Sequence, residues 1–330
     1  MKKSKTVNTY VDTLGIRCEC DNITQRDSLF NAIFDFLKEK KLVGTKYNED
    51  RSSPYYQMTE LLYGNTRLAS IAKGYYVNDT SFNPDYYYIN ISFYGLKRYS
   101  KIKDEASTLL VRIITAFLNT YNIDFRLIEL DIAMDIESKI NNILAVCISR
   151  SPNVEYYELG DFDENGEEIQ DDKGTYNIEK YKSKKSRKNA MGRAYLYDKR
   201  KKEKDKYKRE LGFDLTRFEV KLQKRWFVKN EFGFIPIYKA LQKYVVLELE
   251  DLQQKEQLIQ KINSAKTSRQ RRTAIHAAIK DNSTVSLTQK MNLVGAFLRE
   301  IDTIKFDNKG ELVFTKHEDY LESMSKFNRK

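Results

Sequence analysis

Residues 104–123, DEASTLLVRIITAFLNTYNI, and residues 125–138, FRLIELDIAMDIES, decide the fold class. In the first, apolar residues recur three and four apart for about five turns, the mark of an amphipathic helix. Asp104 and Glu105 suit the positive end of its dipole. In the second the spacing drops to two, so one face of a strand is apolar and the other acidic. A long helix needs a sheet to pack on, and three tyrosine-rich segments upstream supply it: YYQMTELLYG (55–64), RLASIAKGYYV (67–77) and YYYINISFYG (86–95). Gly64-Asn65 and Asn83-Pro84-Asp85 separate them, so they read as antiparallel strands. Before them, residues 8–20 read as a strand and residues 26–43 as a helix.

Downstream, INNILAVCISRS (140–151) reads as a shorter helix. The acidic stretch DFDENGEEIQDDKG (161–174) carries an Asn-Gly pair and reads as a hairpin tip, and YKSKKSRKN (181–189) as a mobile basic arm. Residues 193–198 alternate as a strand, 199–211 suit a solvated helix, and LTRFEVKLQKRWF (215–227) is a further alternating strand. From Pro236 the chain reads as nearly all helical, with Ser286 as a possible N-cap. The expected fold is therefore α+β: a central, mainly antiparallel sheet packed by helices over residues 1–235, in sub-halves 1–123 and 124–235. A helical C-terminal region over 236–330 follows it.

At 330 residues the chain is long enough to bury a core without staples. Its 58 Lys and Arg against 47 Asp and Glu give a net charge of +11, which favours an acidic partner such as nucleic acid. No apolar run approaches the roughly 18 residues that span a bilayer, and the first residues have no apolar signal core, so a cytoplasmic protein with no membrane partner is expected. Cys18, Cys20 and Cys147 lack zinc spacing and read as reduced apolar residues. His276 and His317 are the only histidines and lie 41 positions apart, so a site built on two neighbouring histidines is not expected.

Alternation brings three candidate faces into view. Asp131 and Asp135 flank Ala133 on one side of their strand, a small gap between acids that suits an oxygen-seeking ion such as Mg²⁺ or Mn²⁺. The plainer reading is a strand whose acids meet basic neighbours. Arg217, Glu219 and Lys221 share a face of the later strand, where Glu219 offers a third carboxylate and Arg217 a fork for phosphate; the plainer reading is cross-strand ion pairing. Arg193, Tyr195 and Tyr197 share a face of the strand between them, with Lys199 two places on, able to lower the phenol's pKa. Between Lys182 and Lys206 there are twelve Lys or Arg against three acids, so the phenol would sit in a positive field. Lys184, Lys185, Arg187, Lys188, Arg193, Arg200 and Lys201 are the candidate DNA contacts.

The segments LIELDIAMD (127–135), LYDK (196–199) and TRFEVKL (216–222), in that order, resemble the motifs of plasmid rolling-circle replication initiators of the Rep_trans type. Those carry an R-x-D-L-A-x-D-like strand, then Y-x-K, then R-x-E. The resemblance covers roughly residues 110 to 230. It departs at Glu129, where the pattern has an arginine. What it implies is a nickase-like fold without the His-hydrophobe-His pair and an enzyme that nicks and rejoins one strand of origin DNA. Tyr197 would become linked to the 5′-phosphate and leave a 3′-hydroxyl, with Lys199 and Arg217 assisting. Asp131 or Asp135 and Glu219 would hold Mg²⁺ or Mn²⁺. Implied partners are origin DNA with an exposed single-stranded nick site, a host helicase and a second copy of the chain.

Three rivals stand beside this. A non-catalytic DNA-binding protein would use the arm and the basic segment SRQRR (268–272) on phosphates. A mobilisation relaxase would use the same chemistry. RNA binding through surface tyrosines ranks last. The Arg269, Arg271, Arg272 cluster reads slightly better as a solvated helix face than as a groove reader, because no partner helix is placed beside it in the sequence.

Overall fold

The structure is a computed structural model. It describes residues 6–40, 44–48, 57–63, 66–76, 86–96, 101–148, 157–158, 161–162, 168–169, 175–178, 192–223, 226–227, 234–285 and 292–313. The strands are β1 (Thr6–Cys20), β2 (Gly44–Asn48), β3 (Gln57–Tyr63), β4 (Thr66–Tyr76), β5 (Tyr86–Tyr94), β6 (Arg126–Ile136), β7 (Ile143–Cys147), β8 (Tyr157–Glu158) and β9 (Asp161–Phe162). After them come β10 (Glu168–Ile169), β11 (Thr175–Asn177), β12 (Gly192–Asp198), β13 (Thr216–Leu222), β14 (Tyr244–Glu248), β15 (Ser283–Val285), β16 (Lys305–Phe306) and β17 (Leu312–Val313). The fold is α+β, with a large, mainly antiparallel sheet packed by helices. No helix among the described residues is long and apolar enough to cross a membrane.

Two compact units divide the chain, one from Met1–Leu14 with Leu127–Val294 and the other from Gly15–Arg126 with Gly295–Lys330. The boundary expected from the sequence lies at residue 235, inside the first of these units. In the second unit the strand order is β2-β3-β4-β5 followed by the C-terminal half of β1. In β5, buried Ile89, Ile91 and Phe93 alternate with half-buried Tyr88, Asn90, Ser92 and Tyr94, the signature of a strand with one covered face. Helices Ile23–Glu39 and Lys101–Thr120 pack on β4 and β5. The first of them starts at Asn22, whose side chain accepts from the Gln25 amide at 2.8 Å and satisfies one of the helix's open donors. Helix Asn292–Thr303 joins the second: Asn119 Nδ2 donates to the Ile301 and Ile304 carbonyls at 3.0 and 2.9 Å, and Arg112 pairs with Glu300.

In the first unit the order is the N-terminal half of β1, then β6-β13-β12-β11-β8. A second sheet, β15-β14-β7, corrects two expectations. Ile143–Cys147 is a strand where a helix was expected, and Tyr244–Glu248 is a strand inside the region read as nearly all helical. Both are short apolar runs, whose period cannot separate a buried strand from a buried helix; their partner across the sheet decides. Helices Leu252–Asn263 and Ser268–Asp281 cover this sheet around a core of Leu144, Val146, Leu247, Leu249, Ile262, Ile275 and Ala278. The expected hairpin flanks are present, with Glu168 opposite Phe162 and Ile169 opposite Asp161; its tip, the basic arm and Ser286 lie outside the described residues. All three cysteines are buried thiols outside any disulfide.

Candidate active site on strands β6, β13 and β12

Antiparallel register brings the three candidate faces onto one side of the first unit's sheet, because residues opposite one another across a ladder share a face. One row runs Asp135, Arg217, Tyr197, Thr175 across four strands. The next runs Ala133, Glu219, Tyr195, Asn177, and a third Asp131, Lys221, Arg193. The opposite side carries Ile132, Met134, Phe218, Val220, Ala194 and Leu196, all buried. The apolar backing anchors the strands and fixes where the polar groups stand.

Tyr197 is 4% exposed, and its hydroxyl donates to Glu219 Oε2 at 2.9 Å. Burial raises the phenol's pKa well above its ordinary value, and the negative charge of Glu219 raises it further, while Arg217 opposes. The proton therefore stays on the phenol until an acceptor takes it, and the acceptor in contact is Glu219.

Arg217 is the most heavily bonded group of the face. Its Nε donates to Asp135 Oδ1 at 2.7 Å, Nη2 to Asp135 Oδ2 at 3.1 Å, and Nη1 to Asp12 Oδ1 at 3.1 Å. Nη2 also meets the Tyr10 hydroxyl, which itself donates to Asp135 Oδ2 at 2.7 Å. The Arg217 and Asp135 side chains are 1% and 0% exposed. Burial works against the guanidinium's charge, but Tyr197, Tyr10, Asp12 and Asp135 outweigh it and hold it protonated. Tyr10 and Asp12 were not among the residues expected from the sequence, although two-residue spacing on β1 carries the signal.

Asp131 pairs through Oδ2 with Lys221 Nζ at 3.1 Å, and Lys221 also meets Glu129. The other oxygen, Asp131 Oδ1, is buried with no hydrogen-bond partner among the described residues. Burial pushes the Asp131 carboxyl well up, with Lys221 opposing and the Glu219 and Glu129 charges adding to the rise. Much of the face thus follows the plainer reading, with acids of β6 meeting bases of β13. Among the described residues no three His, Cys, Asp or Glu side chains converge as a metal site. Taken singly, Asp131 fits a hard cation through its unpartnered oxygen, whereas both Asp135 oxygens are already engaged.

No family model matches the chain, and no curated protein matches it. Among solved structures it is similar to one described as "Structure of Rolling Circle Replication Initiator Protein from Geobacillus stearothermophilus". That likeness has a TM-score of 0.38 and 12% identity over 73% of this chain and 86% of that one. At those values it carries no argument about activity or site.

The remaining expected residues are dispersed. Strand alternation ends at Asp198, which caps helix Lys199–Tyr207 by accepting from the Lys201 amide at 2.8 Å. Lys199 forms a buried ion pair with Glu203 at 2.7 Å while still feeling the charges of Arg217 and Asp12, and Arg209 approaches Glu203 at 3.8 Å. The cation over the Tyr197 ring is Lys202, 4.1 Å from the centroid, a residue the sequence did not single out. Arg193 lies 5.9 Å from the Tyr195 ring centroid. Arg200 pairs with Asp214 at 2.9 Å on the surface and Lys201 is exposed. Lys184, Lys185, Arg187 and Lys188 lie outside the described residues.

Proposed function

We propose that this protein is a replication initiator that nicks one strand of origin DNA through Tyr197. The observation that carries the reading is the Tyr197 hydroxyl on the Glu219 carboxylate, with the Arg217 guanidinium opposite Tyr197 in the ladder. A buried phenol in hydrogen-bond contact with a base is the arrangement an oxygen nucleophile requires. Glu219 takes the phenol proton as the tyrosine oxygen bonds to phosphorus. The bond from phosphorus to the 3′-oxygen breaks, that oxygen leaves as a 3′-hydroxyl after taking up a proton, and the 5′-phosphate stays on Tyr197. Arg217, held rigid by Asp135, Asp12 and Tyr10, offsets charge on the non-bridging oxygens without having to reorganise. Mg²⁺ or Mn²⁺ held by Asp131 and Glu219 would add Lewis-acid polarisation of the scissile phosphate. The phosphotyrosine bond keeps the energy of the phosphodiester, so the step can reverse.

The test is supercoiled plasmid carrying this protein's own gene region, incubated with the protein and Mn²⁺. Nicked circles with protein on one 5′ end support the reading; plasmid that is retarded but uncut contradicts it. Glu219→Gln is expected to slow adduct formation by about 10²- to 10⁴-fold, because the amide cannot accept the proton, with the same circular dichroism as wild type.

Duplex contact is assigned to the helix pair on the second sheet of the first unit. Leu252–Asn263 and Ser268–Asp281 are joined by residues 264–267, and the second helix opens with a capping box between Thr267 and Gln270. Ile275 and Ala278 anchor it inward, while Arg269, Arg272, His276 and Lys280, three and four apart, form an exposed stripe. Arg271 is not part of that stripe, since its Nε donates to the Ala265 carbonyl at 3.0 Å. The partner helix missing from the sequence reading is what favours a groove contact over a solvated face. The double variant Arg269→Ala, Arg272→Ala is expected to weaken duplex binding and flatten the log–log salt dependence by about 1.8, measured by fluorescence anisotropy over a salt series. Adduct formation on a single-stranded nick-site oligonucleotide should not change.

One observation favours the second reading, a DNA-binding protein that does not cut: a nucleophile must meet its phosphate, and Tyr197 is 4% exposed.

A further inference from the structure

Helix Lys199–Tyr207 begins two residues after Tyr197, behind its N-cap Asp198, and brings Lys202 to the tyrosine ring. Two lysines there have different fates. Lys199 is buried and fixed by Glu203, as described above. Lys202, one turn on, is an exposed side chain whose ammonium nonetheless rests over the Tyr197 ring at 4.1 Å. The charges acting on it are opposed: Glu219 and Asp12 attract it, and Lys199 and Arg217 repel it. The ring's negative face adds attraction. A phosphate oxygen offers a stronger, charge-assisted partner than a ring face does.

Resting on the nicking reading, we propose that Lys202 is the movable cover of the nucleophile. In the free protein its ammonium sits on the Tyr197 ring; the phosphate of an incoming single strand draws it off, and the same ammonium then holds that phosphate beside the uncovered phenol. The cover reconciles a buried tyrosine with a reaction that needs it exposed. It also moves the cation's task from Lys199, the expected residue, to Lys202. Lys202 touches the substrate through this phosphate contact and exchanges no proton with it.

Hydroxyl-radical footprinting read by mass spectrometry, on the full chain without DNA, tests the cover. Lys202→Ala is expected to raise oxidation of Tyr197 several-fold while leaving buried Tyr244 unchanged. Lys204→Ala, at a surface lysine of the same helix, should change neither. With a single-stranded oligonucleotide from the gene region, Lys202→Ala should slow adduct formation by about 100-fold, and Lys202→Arg should recover most of it. Equal oxidation of Tyr197 in wild type and Lys202→Ala overturns the cover, as does an unchanged adduct rate. If Lys202→Ala melts early by circular dichroism, Lys202→Gln is read instead. Failure of the nicking reading looks different: wild type forms no adduct, or Tyr197→Phe forms one, while the footprint still reports whether Lys202 shields the ring.

Discussion

Tyr197→Phe is expected to cut covalent adduct formation to below about 10⁻⁴ of the wild-type rate. The change deletes one oxygen and keeps the ring that packs on the sheet, so nothing else on the face has reason to move. The atom lost makes one hydrogen bond, to Glu219, which is half-exposed and can bond water instead. Duplex affinity should stay within about twofold, because no phosphate-neutralising cation is removed. Gel electrophoresis under denaturing conditions after incubation with a labelled nick-site oligonucleotide reads the adduct; anisotropy reads the affinity. A variant that loses both has lost its fold or its DNA surface rather than its nucleophile alone, and the two assays together separate that outcome from the expected one.

Arg217→Met is expected to destabilise the protein by about 3–5 kcal/mol, the usual cost of stripping one partner from a buried ion pair. The penalty comes from what is left behind. The Asp135 side chain, 0% exposed, would lose both of its bonds to the guanidinium, and Asp12 would lose its bond to Nη1. Urea denaturation followed by fluorescence gives the change. The double variant Arg217→Met, Asp135→Leu should cost less than Arg217→Met alone, since removing both members leaves no stranded charge. If the single variant were as stable as wild type, the Arg217–Asp135 pair would not be the rigid element on which the proposed phosphate contact depends.

Sequence alternation carried much of this face. Residues two apart on β6, β13 and β12 do share a side, and antiparallel pairing lines those sides up in rows. What alternation cannot reveal is which cation meets which acid. Asp131 and Asp135 were read as open to a metal, but Lys221 and Arg217 stand directly opposite them in the ladder. Tyr10 and Asp12 escaped notice because their strand is more than a hundred residues away from the rest. Alternation does not describe Lys199 for a local reason: Asp198 is a helix N-cap, and the strand period stops there. The Lys199–Glu203 pair was readable as an i, i+4 contact once that stop is recognised. The long helices were plain from their period, whereas β7 and β14, five residues each, take their identity from pairing with one another.

The central claim is that one particular phenol takes up the cut strand. Digesting the protein–oligonucleotide adduct with protease and nuclease, then sequencing the modified peptide by mass spectrometry, tests it most directly. The account predicts a nucleotide on the peptide 193–199 with the added mass at Tyr197. Added mass at Tyr195, at any residue off this face, or no modified peptide from a preparation that nicks its plasmid, would contradict it.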